Sequence, residues 1–269
     1  ICWHWDHTKQ QSVKGINFVS VVYHNQNLTL PVGYQLVAKT ERYVDAKTGK
    51  EKRRSPHTKN DYYRELLAQT VKNAIPFTYV TNDTWFASAE NMMFVKRILT
   101  KEFVMPLKDN RKVALSFEDK VAGRYQRVDS LTLSTNTLYQ VYLESVDFPL
   151  HLVKQVFTNE DGSTGILYLV TSDLAIGYDR ITTIYQKRWN IEPYHKSLKQ
   201  NAGLERSPTQ TVTTQSNHFF AALCAYIKLE LLKVSTHLNH FALRSKLYIN
   251  AIQSAFAMLK QFQPTRLSA

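Results

Sequence analysis

The sequence predicts an α/β protein built on a mixed β-sheet. Strand-like and helix-like segments alternate through residues 1–112, and short β-type segments follow in residues 113–160. After Asp179 the chain is helical almost to its end. Hydrophobic residues make up 43% and aromatic residues 12% of the 269 residues, which is enough for a core and argues against disorder. This order of segments is typical of a sheet covered by helices.

The first half of the chain opens with a predicted strand pair followed by a helix. Residues 16–23 (INFVSVVY) and 31–38 (PVGYQLVA) are apolar and rich in β-branched side chains, with HNQN as the turn between them. Thr58 is a candidate N-cap for a helix over residues 60–75, because helical periodicity follows it and Pro76 stops the pattern.

The alternation then continues in shorter segments. Residues 77–83 form an apolar run that ends on Asp83, and residues 88–99 begin with a helix-cap candidate and predict a helix. Residues 102–108 predict another strand, and residues 166–171, after a turn, predict a central strand. We therefore expect the β-type segments of residues 113–160 to form a β-rich insertion.

The chain is strongly basic, which favours a polyanionic partner. Lysine and arginine number 34 against 22 acidic residues, giving a net charge of +12. Charge alone does not decide the question, since many basic proteins bind no nucleic acid. One predicted loop, KTGKEKRRSPHTK, contains Lys52, Arg53 and Arg54. Such a run is usually a solvated loop, and in a DNA-binding protein it is also a natural phosphate contact.

Cysteine usage and hydropathy predict a cytoplasmic protein without a membrane partner. Cys2 and Cys224 are too few and too far apart for a disulfide framework or a cysteine zinc site. The sequence has neither an apolar run long enough to span a bilayer nor a signal peptide. Because the chain begins at Ile1 with a segment that already has structured character, we expect it to be a fragment whose N-terminal part is absent.

The segment YQKRWNIEPYHKSLKQ contains an unusual set of polar side chains. On an ideal helix, Tyr185, Arg188, Glu192 and Lys199 fall at about 0°, 300°, 340° and 320°, so they share one stripe about 60° wide. A structural alternative is an exposed salt-bridge ladder, since Arg188 and Glu192 are spaced i to i+4. Pro193 cannot donate a backbone hydrogen bond, so the helix must kink or restart near it.

A second carboxylate, Asp83, lies at the end of a predicted strand. Taken alone, an aspartate in this place is more often a turn residue. Ligands also gather at the carboxyl ends of strands in open α/β sheets. Together with Glu192, it suggests a site for Mg²⁺ or Mn²⁺, because carboxylate oxygens suit these ions and phosphoryl transfer often uses them.

The chain resembles DDE-type bacterial insertion-sequence transposases of the IS-four group. The resemblance rests on the pattern Y-x2-R-x3-E-x6-K from Tyr185 to Lys199, on NDTWFAS around Asp83 and on LYLVTSDL before the signature. It implies an RNase H-like mixed sheet flanked by helices, with a β-rich insertion before the last catalytic helix. The implied divisions are a first part of the core (1–112), the insertion (113–160), the second part of the core with the signature (161–235) and a C-terminal helical tail (236–269).

The resemblance also implies roles for these residues. Asp83 and Glu192 would bind Mg²⁺ or Mn²⁺ and catalyse DNA cleavage and strand transfer at the ends of the element. Tyr185, Arg188 and Lys199 would hold the transposon end near the cleaved phosphate. The implied partner is double-stranded DNA, both transposon ends and target, bound by a homodimer.

The first catalytic aspartate of the family has no clear counterpart here. Asp6, in WDHTK, is superficially similar and is the alternative third metal ligand, but the segment around it looks more like the part that follows the family's first aspartate. We therefore expect that carboxylate to be absent and the fragment to be inactive or nearly so. His4, Asp6 and His7 also suggest a small metal cluster, although a surface turn with incidental histidines is the more common explanation. Two other functions stay open: a non-catalytic DNA-binding remnant and a stand-alone nuclease of the same fold.

Overall fold

The structure, a computed structural model, describes residues 2–6, 10–26, 28–208 and 211–262. It divides into two compact units. The larger unit contains Cys2–Val21 and Val32–Asn190, and the smaller unit contains the described residues of Val22–Pro31 and Ile191–Ala269.

The order of elements follows the alternation expected from the sequence. The strands are β1 (Cys2–Asp6), β2 (Gln11–Gly15), β3 (Phe18–Asn25), β4 (Leu28–Leu36), β5 (Glu41–Val44), β6 (Glu51–Arg54), β7 (Tyr79–Thr81), β8 (Glu102–Leu107), β9 (Lys112–Val113), β10 (Gln126–Arg127), β11 (Tyr139–Val141), β12 (Leu150–Thr158) and β13 (Thr164–Thr171). The α-helices are α1 (Lys59–Lys72), α2 (Ala89–Met93), α3 (Phe117–Val121), α4 (Tyr178–Gln186), α5 (Ile191–Gln200), α6 (Val212–Thr236) and α7 (His240–Gln261).

A five-stranded mixed sheet organises the larger unit. Its order is β11-β12-β13-β8-β7, in which β7 runs parallel to β8 and the other neighbours are antiparallel. Thr81, Val104 and Thr171 lie side by side across three strands. The predictions of a mixed α/β sheet and of a central strand at residues 166–171 are therefore confirmed. β12 and β13, which pair along their whole length, belong to the same sheet as β7 and β8.

Both faces of this sheet are covered, as the side chains of β8 show. Phe103 and Met105 point into a core that also contains the helical residues Met92 and Val95. Val104, between them, belongs to a second core on the other side with α4. Successive side chains of a strand point to opposite faces, so a run that is buried throughout indicates a sheet covered on both sides.

The local signals for α1 and for the first strand pair are confirmed. The Thr58 hydroxyl accepts from the Asp61 backbone N–H at 3.1 Å, and the Asp61 carboxylate accepts from the Thr58 N–H at 2.8 Å, which completes a capping box. β3 and β4 pair as the apolar runs predicted. The helix predicted over residues 88–99 begins as α2 after its Ser88 cap and continues as a π-helical turn, Phe94–Ile98.

Two predictions about residues 47–157 were wrong. The basic segment predicted as a loop contains a strand, β6, which pairs with β5. Among the β-type segments, residues 117–121 form the short helix α3, because Ser116 caps it by accepting from the Asp119 N–H at 3.0 Å. Residues 131–134 (LTLS) are not a strand.

The helices of the smaller unit pack around buried aromatic side chains and a buried carboxylate. Tyr194 of α5 and Tyr226 of α6 meet edge to face with their centroids 5.0 Å apart. Glu230 of α6 is 1% exposed and accepts a hydrogen bond from the Thr29 backbone N–H at 2.7 Å, and His240 Nε2 lies 2.8 Å from its Oε2. No described helix is both long enough and apolar enough to cross a bilayer.

Candidate active site

Asp83 lies in a tight turn just beyond the carboxyl end of β7. Its Oδ1 accepts the Trp85 backbone N–H at 2.7 Å, and the side chain is exposed. The residues beside it are anchored on Tyr63 of α1: buried Asn82 donates to the Tyr63 hydroxyl at 3.0 Å, and the Phe86 ring stacks on the Tyr63 ring at 5.1 Å. These contacts with Tyr63 therefore fix the turn against α1, and the Asp83 carboxylate faces solvent. Both sequence interpretations of Asp83, turn residue and strand-end acid, describe this geometry.

Helix α4 brings Tyr185 to Asp83. The helix packs on the sheet face formed by Val104 and Leu169, and Tyr185 in its last turn lies close enough to Asp83 to feel the charge of that carboxylate. Burial raises the pKa of the Tyr185 phenol, Arg188 opposes this rise, and the negative charge of Asp83 adds to it. The structure thus brings together Asp83, Tyr185 and Arg188, all within the larger unit.

Arg188 extends this group with a guanidinium. It lies in a 3₁₀ turn, Lys187–Asn190, with its guanidinium carbon 5.5 Å from the centroid of the Tyr185 ring and 5.0 Å from that of the Trp189 ring. Its Nε is buried and has no hydrogen-bond partner in the described part of the chain. No carboxylate among the described residues pairs with it within 4 Å. A guanidinium held by aromatic rings and lacking a carboxylate is suited to a phosphate.

Glu192 and Lys199 lie on α5 in the smaller unit, and both are exposed. They flank His195, whose pKa is lowered by burial, raised by Glu192 and lowered further by Lys199. Lys199 also pairs with Glu205 at 3.2 Å on the surface. The approach of Glu192 to Asp83, which lies in the other unit, stays a prediction.

The signature segment is not one continuous α-helix. The α-helix ends at Gln186, the 3₁₀ turn follows, and α5 begins at Ile191. The restart near Pro193 is confirmed, because this residue lies in the first turn of α5, where a missing N–H costs least. The ideal-helix angles therefore do not apply across the 3₁₀ turn that lies between Tyr185 and Glu192.

The predicted phosphate contacts Lys52, Arg53 and Arg54 lie on β6, and all are exposed. Lys52 pairs with Asp45 at 2.5 Å, and Arg54 pairs with Glu41 at 3.0 Å. Arg53, which alternates to the other face of the hairpin, has no ion-pair partner among the described residues.

The third carboxylate predicted from the sequence lies outside what the structure describes. Asp6 ends β1, but its side chain and that of His4 are not part of the description, nor is any of His7. In the described residues, no group of three or more His, Cys, Asp or Glu side chains could hold a metal ion. Asp173, an acid close to the end of β13, lies at the opposite end of the sheet from Asp83. It accepts from the Tyr79 hydroxyl at 2.6 Å.

A feature that the sequence analysis missed lies next to Asp83. Trp85, Lys108 and Arg111 line a cavity of about 180 Å³. The only signal for it in the sequence was a tryptophan two residues after a strand-end aspartate. The two cations come from a turn more than twenty residues downstream, and only the folded sheet brings them there.

The larger part of the chain matches a known protein family. Residues 6–228 match the transposase DDE domain, and this range is more than half of the chain and includes both Asp83 and Glu192. A comparison with curated proteins found no match. Transposases of this kind act on DNA and typically use divalent metal ions. The chain belongs to the family of DDE transposases.

Proposed function

We propose that this protein is a transposase of the IS-four group that cleaves DNA at insertion-sequence ends and joins the 3′ ends to a target. The observation that carries the proposal is the grouping of Asp83, Tyr185 and Arg188 at the carboxyl end of β7. This is the end of an α/β sheet at which ligands gather, and the grouping lies inside the matched domain.

Each residue has a chemical role in this proposal. Asp83 and Glu192 are the catalytic carboxylates. Arg188 binds the phosphate next to the cleaved bond, because its guanidinium presents paired N–H donors to phosphate oxygens. The Tyr185 hydroxyl, which is protonated at neutral pH like any tyrosine, donates to the same phosphate. Lys199 adds a point charge on the same helix as Glu192.

The donor chemistry at Asp83 fits a divalent metal ion. The carboxylate is exposed, and only its Oδ1 is used in the turn, so Oδ2 has no partner among the described residues. Oxygen donors of this kind suit Mg²⁺ or Mn²⁺. Asp83 and Glu192 would hold the ion, with Asp6 as the candidate third ligand. When bound, the ion would activate the attacking hydroxyl group and stabilise the leaving oxygen.

The surface charge supports a DNA partner. The net charge of +12 favours a polyanion, and the β5–β6 hairpin presents Lys52, Arg53 and Arg54 to solvent. Arg53 is the strongest phosphate contact of the three, because the other two are already paired with carboxylates. We further propose a homodimer on paired DNA ends, since cutting and joining two ends calls for two active sites.

Cleavage assays on the full chain test the proposal. With Mn²⁺ and DNA carrying the insertion-sequence ends, Asp83→Asn and Glu192→Gln should each lower the rate of strand cleavage more than about 100-fold. Loss of a residue that only contacts a metal ligand costs about 10- to 100-fold, so a larger loss indicates that the carboxylate itself binds the metal. Asp161→Asn and Glu160→Gln are matched controls. Asp161 is also an exposed turn aspartate that accepts a backbone N–H at 3.0 Å, but it lies in the β12–β13 hairpin.

The outcomes separate the candidate functions. Cleavage that survives both active-site changes means that the two acids are surface residues, as expected for a DNA-binding remnant. Cleavage without any joined product means a nuclease. Robust strand transfer by the unchanged chain, lost in Asp6→Asn, means that Asp6 completes the carboxylate set; robust transfer retained in that variant points to another residue.

A further inference from the structure

Helix α5 carries Glu192 and Lys199 but cannot hold its position by itself. It is only 10 residues long, follows a 3₁₀ turn and contains Pro193 in its first turn. Isolated helices shorter than about 12–15 residues are marginal in water, so α5 depends on the elements packed against it. Its buried side chains Tyr194 and Leu198 supply apolar contact, but hydrophobic contacts are non-directional and do not fix how a helix is rotated.

Two side chains from the start of α7 make directional contacts with α5. His240 Nδ1 and the Ser197 hydroxyl are hydrogen-bonded at 2.7 Å, and Arg244 Nη1 donates to the Gln200 carbonyl at 2.6 Å. His240 and Arg244 are spaced i to i+4, so they lie on one face of α7. The Gln200 carbonyl belongs to the last turn of α5, where carbonyls lack a partner within the helix. Two consecutive turns of α7 therefore hold α5 at two points along its length.

The histidine of this contact is fixed by the rest of the smaller unit. Asn239 caps α7 with its side-chain oxygen, which makes His240 the first residue of the helix. The His240 Nε2 lies 2.8 Å from Glu230 Oε2, and the Glu230 carboxylate also accepts the Thr29 backbone N–H. Helices α6 and α7 and strand β4 thus meet at one carboxylate, and the bond to Ser197 connects α5 to them.

The set of a serine, a histidine and a glutamate resembles a nucleophilic triad, but its burial excludes that chemistry. Ser197, His240 and Glu230 are 4%, 6% and 1% exposed, so a substrate cannot reach the hydroxyl. Burial instead makes the contact rigid, because a buried polar group that loses its partner cannot turn to water. Separation of α7 from α5 is therefore costly.

We propose that His240 and Arg244 of α7 are positioning residues that fix the rotation and the axial position of α5. The side chains placed in this way are Glu192 and Lys199, which are exposed on α5 whereas Ser197 is buried. Ser197 lies five residues from Glu192, about 7.5 Å along the helix axis, so a shift at the contact also moves the carboxylate. A displacement of about 1 Å at a reacting group can cost about 100-fold in rate. The inference rests on the proposed function, because it concerns how the second carboxylate is held.

Cleavage by the full chain, with Mn²⁺ and saturating insertion-sequence-end DNA, gives the first measurement. Ser197→Ala and Arg244→Ala should each lower the cleavage rate about 10- to 100-fold. They should also raise the Mn²⁺ concentration needed for half-maximal cleavage, because Glu192 is no longer held in place. Arg244→Lys, which keeps a donor for the Gln200 carbonyl, should restore most of the rate. Lys246→Ala is the matched control, since it removes one exposed positive charge from the same helix.

DNA affinity and fold stability separate positioning from a general structural role. Without metal, the affinity for the same DNA should fall in Ser197→Ala no further than in Lys199→Ala, because only that phosphate contact moves with α5. Thr29→Val removes a buried hydroxyl that is hydrogen-bonded to His24 at 3.0 Å in the same unit. It should lower the unfolding midpoint by an amount comparable to Ser197→Ala but leave the Mn²⁺ requirement unchanged. An equal rise in the Mn²⁺ requirement of Thr29→Val would mean a general loss of stability and overturn the inference.

Hydrogen exchange measures the contact without any catalysis. Backbone amides of α5 should exchange faster in Ser197→Ala and Arg244→Ala than in the parent chain, whereas those of the buried turns of α6 should not change. Unchanged exchange in α5 overturns the inference. If α5 exchanges faster but Glu192→Gln cleaves normally, the proposed catalytic role of Glu192 fails and the positioning of α5 by α7 stands. If Glu192→Gln loses cleavage while Ser197→Ala keeps the parent exchange and Mn²⁺ requirement, the reverse holds.

Discussion

Replacement of the buried Glu230 by glutamine should destabilise the smaller unit strongly. The carboxylate is 1% exposed and accepts hydrogen bonds from the Thr29 backbone N–H and the Lys233 ammonium, and His240 Nε2 lies 2.8 Å from it, so three groups converge on two oxygens. A glutamine of the same shape has one acceptor oxygen and an NH₂ group that faces donors. At least one buried donor then loses its partner, and the charge that pairs with Lys233 disappears.

The magnitude follows from the burial of each partner. Removing one member of a buried charge pair costs about 3–5 kcal/mol. The Lys233 side chain is 29% exposed, so water can solvate its ammonium when the charge of Glu230 is lost. We therefore expect a cost at the lower end of this range, about 3 kcal/mol. A change of this size lowers the melting temperature by roughly 12–24 °C in a domain of 60–100 residues, the size of the smaller unit.

Thermal and urea unfolding followed by circular dichroism measure this effect, with Glu205→Gln as the matched control. Glu205 lies in the same unit but has 64% of its side chain exposed, so its replacement should leave the unfolding midpoint unchanged. A loss of less than about 1 kcal/mol for Glu230→Gln would refute the reasoning, since that is the size of a single neutral hydrogen bond.

The pH dependence gives a second measurement on the same residue. Burial tends to raise the pKa of Glu230, but hydrogen bonds from His240, Lys233 and Thr29 outweigh it and lower the pKa below 4.5. Because the folded pKa is the lower one, the stabilisation is complete above pH 4.5 and is lost as the pH falls through the folded value. The parent chain should lose stability in that acidic range, and Glu230→Gln should lose correspondingly less there. Equal acid sensitivity in the two chains would contradict the assignment.

Three further changes test the site and the fold. Arg188→Lys should keep the charge but weaken binding to insertion-sequence ends, because lysine cannot make the paired contact with a phosphate, and titration of labelled DNA at constant salt measures this; wild-type affinity would contradict it. Arg53→Ala should reduce the salt dependence of DNA binding by about one ion, whereas Lys52→Ala, whose ammonium is already paired, should change it less, so equal effects would argue against the assignment. Thr58→Ala should cost about 1 kcal/mol in urea unfolding through loss of the cap of α1, and Thr58→Ser should restore most of it.

The parts of the fold that the sequence predicted well are those that local chemistry determines. The cap at Thr58, the apolar run that ends at Asp83 and the restart near Pro193 each depend on a few adjacent residues. The parts that it missed depend on long-range pairing. A run of lysines and arginines does not show that β6 pairs with β5. Two acids, Glu41 in β5 and Asp45 just after it, form ion pairs with the cations of β6. Such cross-strand pairs form only after the register is set.

The same distinction explains what was predictable in the site. The signature spacing identified Tyr185, Arg188, Glu192 and Lys199 as a set, but an ideal helix could not show that a 3₁₀ turn divides it after Gln186. A periodicity calculation extends a helix as far as the next helix-breaking residue, which here is Pro193. The α-helix in fact ends at Gln186, several positions earlier. The cavity lined by Trp85 could not be predicted from the sequence for another reason. It depends on β8 continuing beyond the end of β7, which is known only once the two strands are paired.

The signature residues are divided between the two units of the chain. Tyr185 and Arg188 lie with Asp83 and the Trp85 cavity in the larger unit, and Glu192 begins the smaller one. In the proposed function, the larger unit therefore holds the phosphate ligand Arg188 and the carboxylate Asp83, whereas the smaller unit contributes Glu192 and Lys199. Glu192→Gln should lower cleavage without weakening the affinity for a DNA end measured without metal, because it leaves the proposed phosphate contacts of Arg188 and Lys199 unchanged.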